Sequence, residues 1–182
     1  MPLDDSRAFR EACGKFATGV TVVTVQDGEG IRGTTANAFT SVSLDPPILL
    51  VSISRGSRTH QLLVKYRRYA VNVLSAEHGS WSDRFAGRHG DYQGNFEDVP
   101  HDMTMDGLPL LQEAAATFAC TVAAIYPAGD HSLFLGKVDF ADYLPDAEPL
   151  IFHSGAYHDL SCQRPRCRCS AWGETARLAS AG

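Results

Sequence analysis

AATFACTVAAIYPAGDHSLFLGKVDFADY, residues 115–143, carries the reading of the fold. Ala115–Tyr126 and His131–Tyr143 are long runs rich in β-branched, aromatic and small apolar residues. Pro127-Ala128-Gly129-Asp130 between them is a strong turn signal, so the stretch predicts a long antiparallel hairpin. Outward from it, Val20-Thr21-Val22-Val23-Thr24-Val25 is β-branched throughout and predicts another strand. Asp27-Gly28-Glu29-Gly30 supplies turn residues, with a return strand through Ile31 to Thr35. Ile48–Ile53, Tyr69–Leu74 and Leu150-Ile151-Phe152 add three more strands.

Helices are few. Asp4, Asp5 and Ser6 offer capping oxygens to an opening helix whose Phe9, Ala12, Cys13 and Phe16 share a face. Ser57 is placed to cap a short helix carrying His60, Leu62, Leu63 and Val64. Residues 77–107 hold Gly, Asp and His with few aliphatics, and predict a functional excursion with a helical turn at Ser82–Phe85. Recurrent hairpin-length links favour a small, mainly β antiparallel barrel over an alternating α/β sheet.

The 182 residues suit one domain with a short appendage. A net charge of -5 argues against a general nucleic-acid binder, whose affinity comes from neutralised phosphates. No apolar run approaches the roughly 20 residues that span a bilayer, and Met1-Pro2-Leu3-Asp4-Asp5 lacks the form of a signal peptide. The expectation is a soluble, cytoplasmic protein without a membrane or nucleic-acid partner.

Five cysteines, an odd count, do not form a disulfide framework, and Cys13 and Cys120 read as small buried hydrophobes. Cys162, Cys167 and Cys169 crowd among arginines that would repel a metal cation, and no C-x-x-C pair is present. Residues 161–182 carry Arg164, Arg166, Arg168 and Arg177 against Glu174, a net of +3, which leaves -8 for residues 1–160 of the total of -5. That shift predicts a domain at 1–160 and a flexible Arg/Cys-rich tail at 161–182. His153 and His158 read as surface histidines, and no metal site is expected.

Gly28-Glu29-Gly30-Ile31-Arg32-Gly33 fits G-x-G-x-x-G, yet the dinucleotide fingerprint needs a helix to begin there. Thr34-Thr35-Ala36-Asn37 is poor helix material, so the glycines mark a hairpin. The segment Gly33–Pro47 is more informative. Its small residues let a flat ligand approach the backbone, and its hydroxyls and amides can meet carbonyls or phosphate. Ordinary turn chemistry in a polar loop explains the same composition.

Three separated motifs break that tie. Phe16-Ala17-Thr18-Gly19-Val20-Thr21-Val22-Val23-Thr24, the Gly33–Pro47 segment and Gly129-Asp130-His131-Ser132-Leu133-Phe134-Leu135-Gly136-Lys137-Val138 together resemble the short-chain NAD(P)H:flavin oxidoreductases. These are the flavin reductase components of two-component flavin-dependent monooxygenases. The resemblance covers about residues 7–160 and implies an FMN-binding split β-barrel with Greek-key-like strands, acting as a homodimer. It implies hydride transfer from NADH, or NADPH, to FMN or FAD, with reduced flavin diffusing to a monooxygenase. A flavin carrier without turnover, and a reductase that keeps its flavin for its own substrate, are the alternatives.

The resemblance also distributes roles. Thr34, Thr35, Ala36 and Asn37 are implied to line the isoalloxazine, where donors would stabilise charge developing at N1 and the C2 carbonyl. Ser41, Ser52, Ile53, Ser57, Arg58, Thr59 and His60 suit ribityl and phosphate contacts, Ser57 combining a hydroxyl with a helix N-terminus. Phe85 is a candidate to cover the flavin. Gly129 and Asp130 present His131 beside the nicotinamide, as a positioning group rather than a proton donor.

Overall fold

A computed structural model describes residues 6–26, 28, 30–88, 96 and 98–160. Asp4 and Asp5, the turn residues Asp27 and Glu29, and the 161–182 appendage lie outside them. The chain opens with helix α1 (Ser6–Cys13), then β1 (Thr18–Gly19), β2 (Thr21–Gln26), β3 (Ile31–Ala36), β4 (Phe39–Leu44) and β5 (Pro47–Ser54). Helix α2 (Arg58–Tyr66), β6 (Arg68–Val73) and α3 (Gly79–Phe85) follow. The rest is β7 (His101–Met103), β8 (Pro109–Leu111), β9 (Ala116–Ala128), β10 (His131–Tyr143), β11 (Ile151–His153) and β12 (Ala156–His158).

Seven strands form one antiparallel sheet in the order β3-β2-β6-β9-β10-β5-β4. Its two end strands, β3 and β4, are consecutive in the chain and joined by Asn37-Ala38 alone. Ala36 and Phe39 are three Cα steps apart, at most about 11 Å. A sheet of this width can satisfy that link only by curling until its ends meet, which makes it a barrel split along one seam. The fold is the split β-barrel. A three-stranded sheet, β1-β11-β12, ties the start of the chain to its last strands, with Thr18 opposite Phe152.

The run at Val20–Val25 escapes strict alternation because β2 is covered on both faces. Val23 joins Val51, Ile53, Leu63, Tyr69 and Phe134 inside the barrel. Val22 joins Val20, Leu74, Phe85, Phe96 and Leu150 beneath α3 and the small sheet. Helix α2 closes one end of the barrel with the buried Leu62 and Leu63. In contrast, α1 buries none of its residues, and Phe9 and Phe16 stay exposed, so its predicted apolar face is not a core face. Cys13 is exposed where a buried hydrophobe was expected, whereas Cys120 lies in the core.

The sequence pattern passed over β4, because serine and threonine interrupt the apolar residues of Phe39-Thr40-Ser41-Val42-Ser43-Leu44 and a register shift between Ser41 and Ser43 breaks its alternation. As an edge strand it buries little, so serine and threonine cost it nothing there.

Candidate active site

Three segments converge at one end of β5. The β5–β10 ladder sets Ser54 opposite His131 and Ser52 opposite Leu133. Side chains alternate along a strand, and Val51 and Ile53 point into the core, so Ser52, Ser54 and His131 share the outer face. The β9–β10 turn is hooked to the next segment by the Arg55 N–H, which donates to the Asp130 carbonyl at 2.9 Å. At the third segment, Ser52 N–H donates to the Ala38 carbonyl at 3.0 Å, fixing the seam to the middle of β5.

His131 is half-buried, and its Nδ1 lies 2.8 Å from Asp130 Oδ1. Hydrogen bonding and the charge of His131 hold the Asp130 carboxyl below its usual range. With Nδ1–H donating to Asp130, the ring is oriented and Nε2 is left for a ligand. Gly129 makes the turn possible, since its φ of +60° lies in the left-handed region.

Helix α2 begins beside this turn. Ser57 is its N-cap; its Oγ accepts the His60 N–H at 3.1 Å and donates to the Ser54 carbonyl at 2.7 Å. The hydroxyl is therefore committed to the helix start, and the N–H groups of Arg58 and Thr59 are those without an intrahelical carbonyl. Arg58 is exposed, with Nη1 3.3 Å from Gln61 Oε1.

The threonines of β3 are also committed. The Thr34 hydroxyl bonds to that of buried Thr59, and Thr35 Oγ1 donates to the Ser82 carbonyl of α3 at 2.7 Å. Ala36 is buried and its carbonyl accepts from Thr21 Oγ1 at 2.6 Å, while Asn37 Nδ2 donates to Thr18 Oγ1 at 2.9 Å. What β3 offers a ligand is the backbone of its outer edge, which faces no strand among the described residues.

Four residues singled out from sequence stand away from this rim. His60 turns inward: Nε2 lies 2.9 Å from Ser132 Oγ and its ring meets Phe134 edge-on, with burial and then Arg55 lowering its pKa. Ile53 is 2% exposed, so its side chain belongs to the core. Ser41 pairs with Leu49, three residues along β5 from Ser52, a separation of about 10 Å. Phe85 is buried against Phe96, and a Cβ on Gly33 would lie 2.7 Å from its ring, so it fills the core beneath β3.

Beside the seam lies a cavity of about 800 Å³ lined by Phe16, Thr18, Asn37, Phe39 and Phe152, with Arg10 at its edge. That volume and its aromatic walls suit a flat polycyclic ligand. Asn37 is the sequence-selected residue that lines it. Phe16 and Phe39 sat in the motifs without an assigned role, since an apolar side chain gives no sign of whether it will face a core or a ligand.

A family model described as "Flavin reductase like domain" matches residues 13–161, and the chain belongs to this family. It is 41% identical over 160 residues to FMN reductase (NADH) SmoA of Agrobacterium fabrum, across 88% of this chain and 89% of that protein. It is 32% identical over 162 residues to the flavin-dependent monooxygenase reductase subunit HsaB of Mycobacterium tuberculosis, across 88% and 85%. The structure of the Streptomyces globisporus NADH:FAD oxidoreductase SgcE6 with NAD and FAD fragments matches with a TM-score of 0.79 at 36% identity, covering 93% of this chain and 99% of that one.

Proposed function

We propose that this chain is an NADH-dependent flavin reductase that supplies reduced FMN or FAD to a partner monooxygenase. The observation that carries the reading is the convergence of His131 and Ser52 on one outer face next to the Asn37-Ala38 seam, in a chain of the flavin reductase-like family. The names of SmoA, HsaB and SgcE6 support the choice of NADH, of either flavin, and of a monooxygenase as recipient.

Bound flavin would supply the two-electron chemistry, accepting hydride from the nicotinamide. The chain's own contribution is placement. The outer backbone edge of β3 and the Asn37 amide hold the polar rim of the ring, and the aromatic walls of the cavity exclude water from its apolar end. Ser52 and the first N–H groups of α2, with Arg58, take the side chain and phosphate. His131, oriented by Asp130, sets the nicotinamide over the ring; the step needs no proton from it. Thr34, Thr59 and His60 act one layer deeper, as struts that hold β3 and α2.

We also propose a homodimer acting in the cytoplasm, where reduced nicotinamide is supplied. Val42 and Leu44 on the edge strand β4 are exposed beside the seam, an apolar surface a second copy would cover. An anaerobic absorbance titration with NADH and NADPH against FMN and FAD tests the activity. Bleaching of the flavin band by NADH is expected; oxidised flavin with both nicotinamides refutes the reading.

A further inference from the structure

His131 stands at the end of its strand. It is the first residue of β10, its pairing with Ser54 is the last rung of the β5 ladder, and residues 126–130 before it are exposed. Strand ends and exposed turns open most readily, yet a group that sets a nicotinamide over a ring has to hold its place to about 1 Å. The anchors at the start of β10 therefore decide how well His131 can do so.

Ser132 is the first buried residue of that strand, at 3% exposed. Alternation turns it inward beside Ile53 and Phe134 while His131 faces out. A hydroxyl at that depth needs a partner, and His60 of α2 supplies it, with Nε2 2.9 Å from Ser132 Oγ. The imidazole is itself held, its ring edge-on to Phe134 with centroids 5.3 Å apart and its backbone N–H donating to Ser57 Oγ at 3.1 Å. Ser57 Oγ donates in turn to the carbonyl of Ser54, the residue opposite His131. These bonds close a ring, from Ser54 to Ser57 to His60 to Ser132 and back across the ladder. It ties the first turn of α2 to the strand end that carries His131.

We propose, on the reductase reading in which His131 meets the nicotinamide, that His60 is a positioning residue for hydride transfer, acting through Ser132 on His131. A strut for α2 alone would matter first to the flavin, whose phosphate that reading assigns to the first N–H groups of α2. A residue acting through Ser132 matters to the nicotinamide instead. His60→Ala removes the imidazole but keeps the backbone N–H that Ser57 caps, so the two roles separate.

The test measures kcat/KM for NADH and flavin affinity by fluorescence quenching on each variant. His60→Ala should lower kcat/KM at least about five-fold, with flavin affinity held within about two-fold. Ser132→Ala, a smaller change, should do the same, so a poorly folding His60→Ala does not blunt the test. His60→Gln, whose amide reaches the position of Nε2, should recover most of the rate. In a His131→Ala background, His60→Ala should cost less than about two-fold more. An unaltered chain that leaves flavin oxidised in the presence of NADH fails the reductase reading. With that chain active, three results overturn this proposal alone: kcat/KM unchanged in both single variants, flavin affinity falling in step with the rate, or the same loss persisting without His131.

Discussion

Tyr69 and Gly136 form a contact whose energetics can be worked through before any measurement. Tyr69 is wholly buried, its hydroxyl has no nitrogen or oxygen partner and only the weakly bonding Cys120 thiol beside it, and burial holds the phenol well above its ordinary range. It lies against Gly136, where β10 shifts register against β9; a Cβ added there would sit 2.2 Å from Tyr69 Oη, 2.8 Å from Cζ and 2.9 Å from Cys120 Cβ. An unpaired buried hydroxyl costs about 1–3 kcal/mol, so Tyr69→Phe should stabilise the protein by about 1 kcal/mol or more. In a domain of this size that raises Tm by roughly 2–4 °C. Gly136→Ala should destabilise by about 1–3 kcal/mol through overpacking. In the Tyr69→Phe background the cost should shrink but not vanish, because the contacts to Cζ and Cys120 Cβ remain. Urea unfolding of the four proteins gives the coupling directly. If Tyr69→Phe lowers stability, the hydroxyl has a partner and the reasoning fails; if the two changes are additive, Gly136 is not glycine because of that hydroxyl.

Two further outcomes follow from the site and the core. His131→Ala should lower kcat/KM for NADH by about 10²-fold, with flavin affinity by fluorescence quenching changed less than about two-fold; an unchanged single-turnover rate would remove His131 from the nicotinamide contact. Burial lowers the pKa of His60 and His78, so below the ordinary 6.5 the unfolded chain binds more protons than the native one. Stability should therefore be full above that pH and decline as pH falls beneath it, with the decline shallower in His78→Gln; a Tm flat between pH 7.5 and 5 would contradict the burial of both rings.

The strands were legible where apolar residues dominate, as in Val20–Val25 and the long hairpin. Helix α2 announced itself through Ser57, whereas α3, spanning Gly79–Phe85, showed in the sequence only as a helical turn at Ser82–Phe85. Edge strand β4 was hidden because serine and threonine interrupt its apolar residues and its alternation is broken between Ser41 and Ser43, and β7, β8 and β12 are too short to show a period. At the site, residue type gave identity without direction. Thr34, Thr35 and Ser57 look like free donors in the sequence, yet each hydroxyl is spent inside the protein. Ile53 and Ser52 are neighbours in sequence, and alternation sends one inward and the other outward. Phe85 could be assigned to core or ligand only once Gly33 was seen to be its floor.

The two-residue seam has a kinetic corollary. The β2–β3 and β4–β5 hairpins are local and lie on either side of Asn37-Ala38, so both can form early. Ring closure waits for β5 to find β10, a pairing across nearly half the chain, and that same event brings His131 to Ser54. That long-range step therefore follows both local hairpins, and a partly assembled barrel holding the β3 edge still lacks the face on which His131 and Ser54 meet.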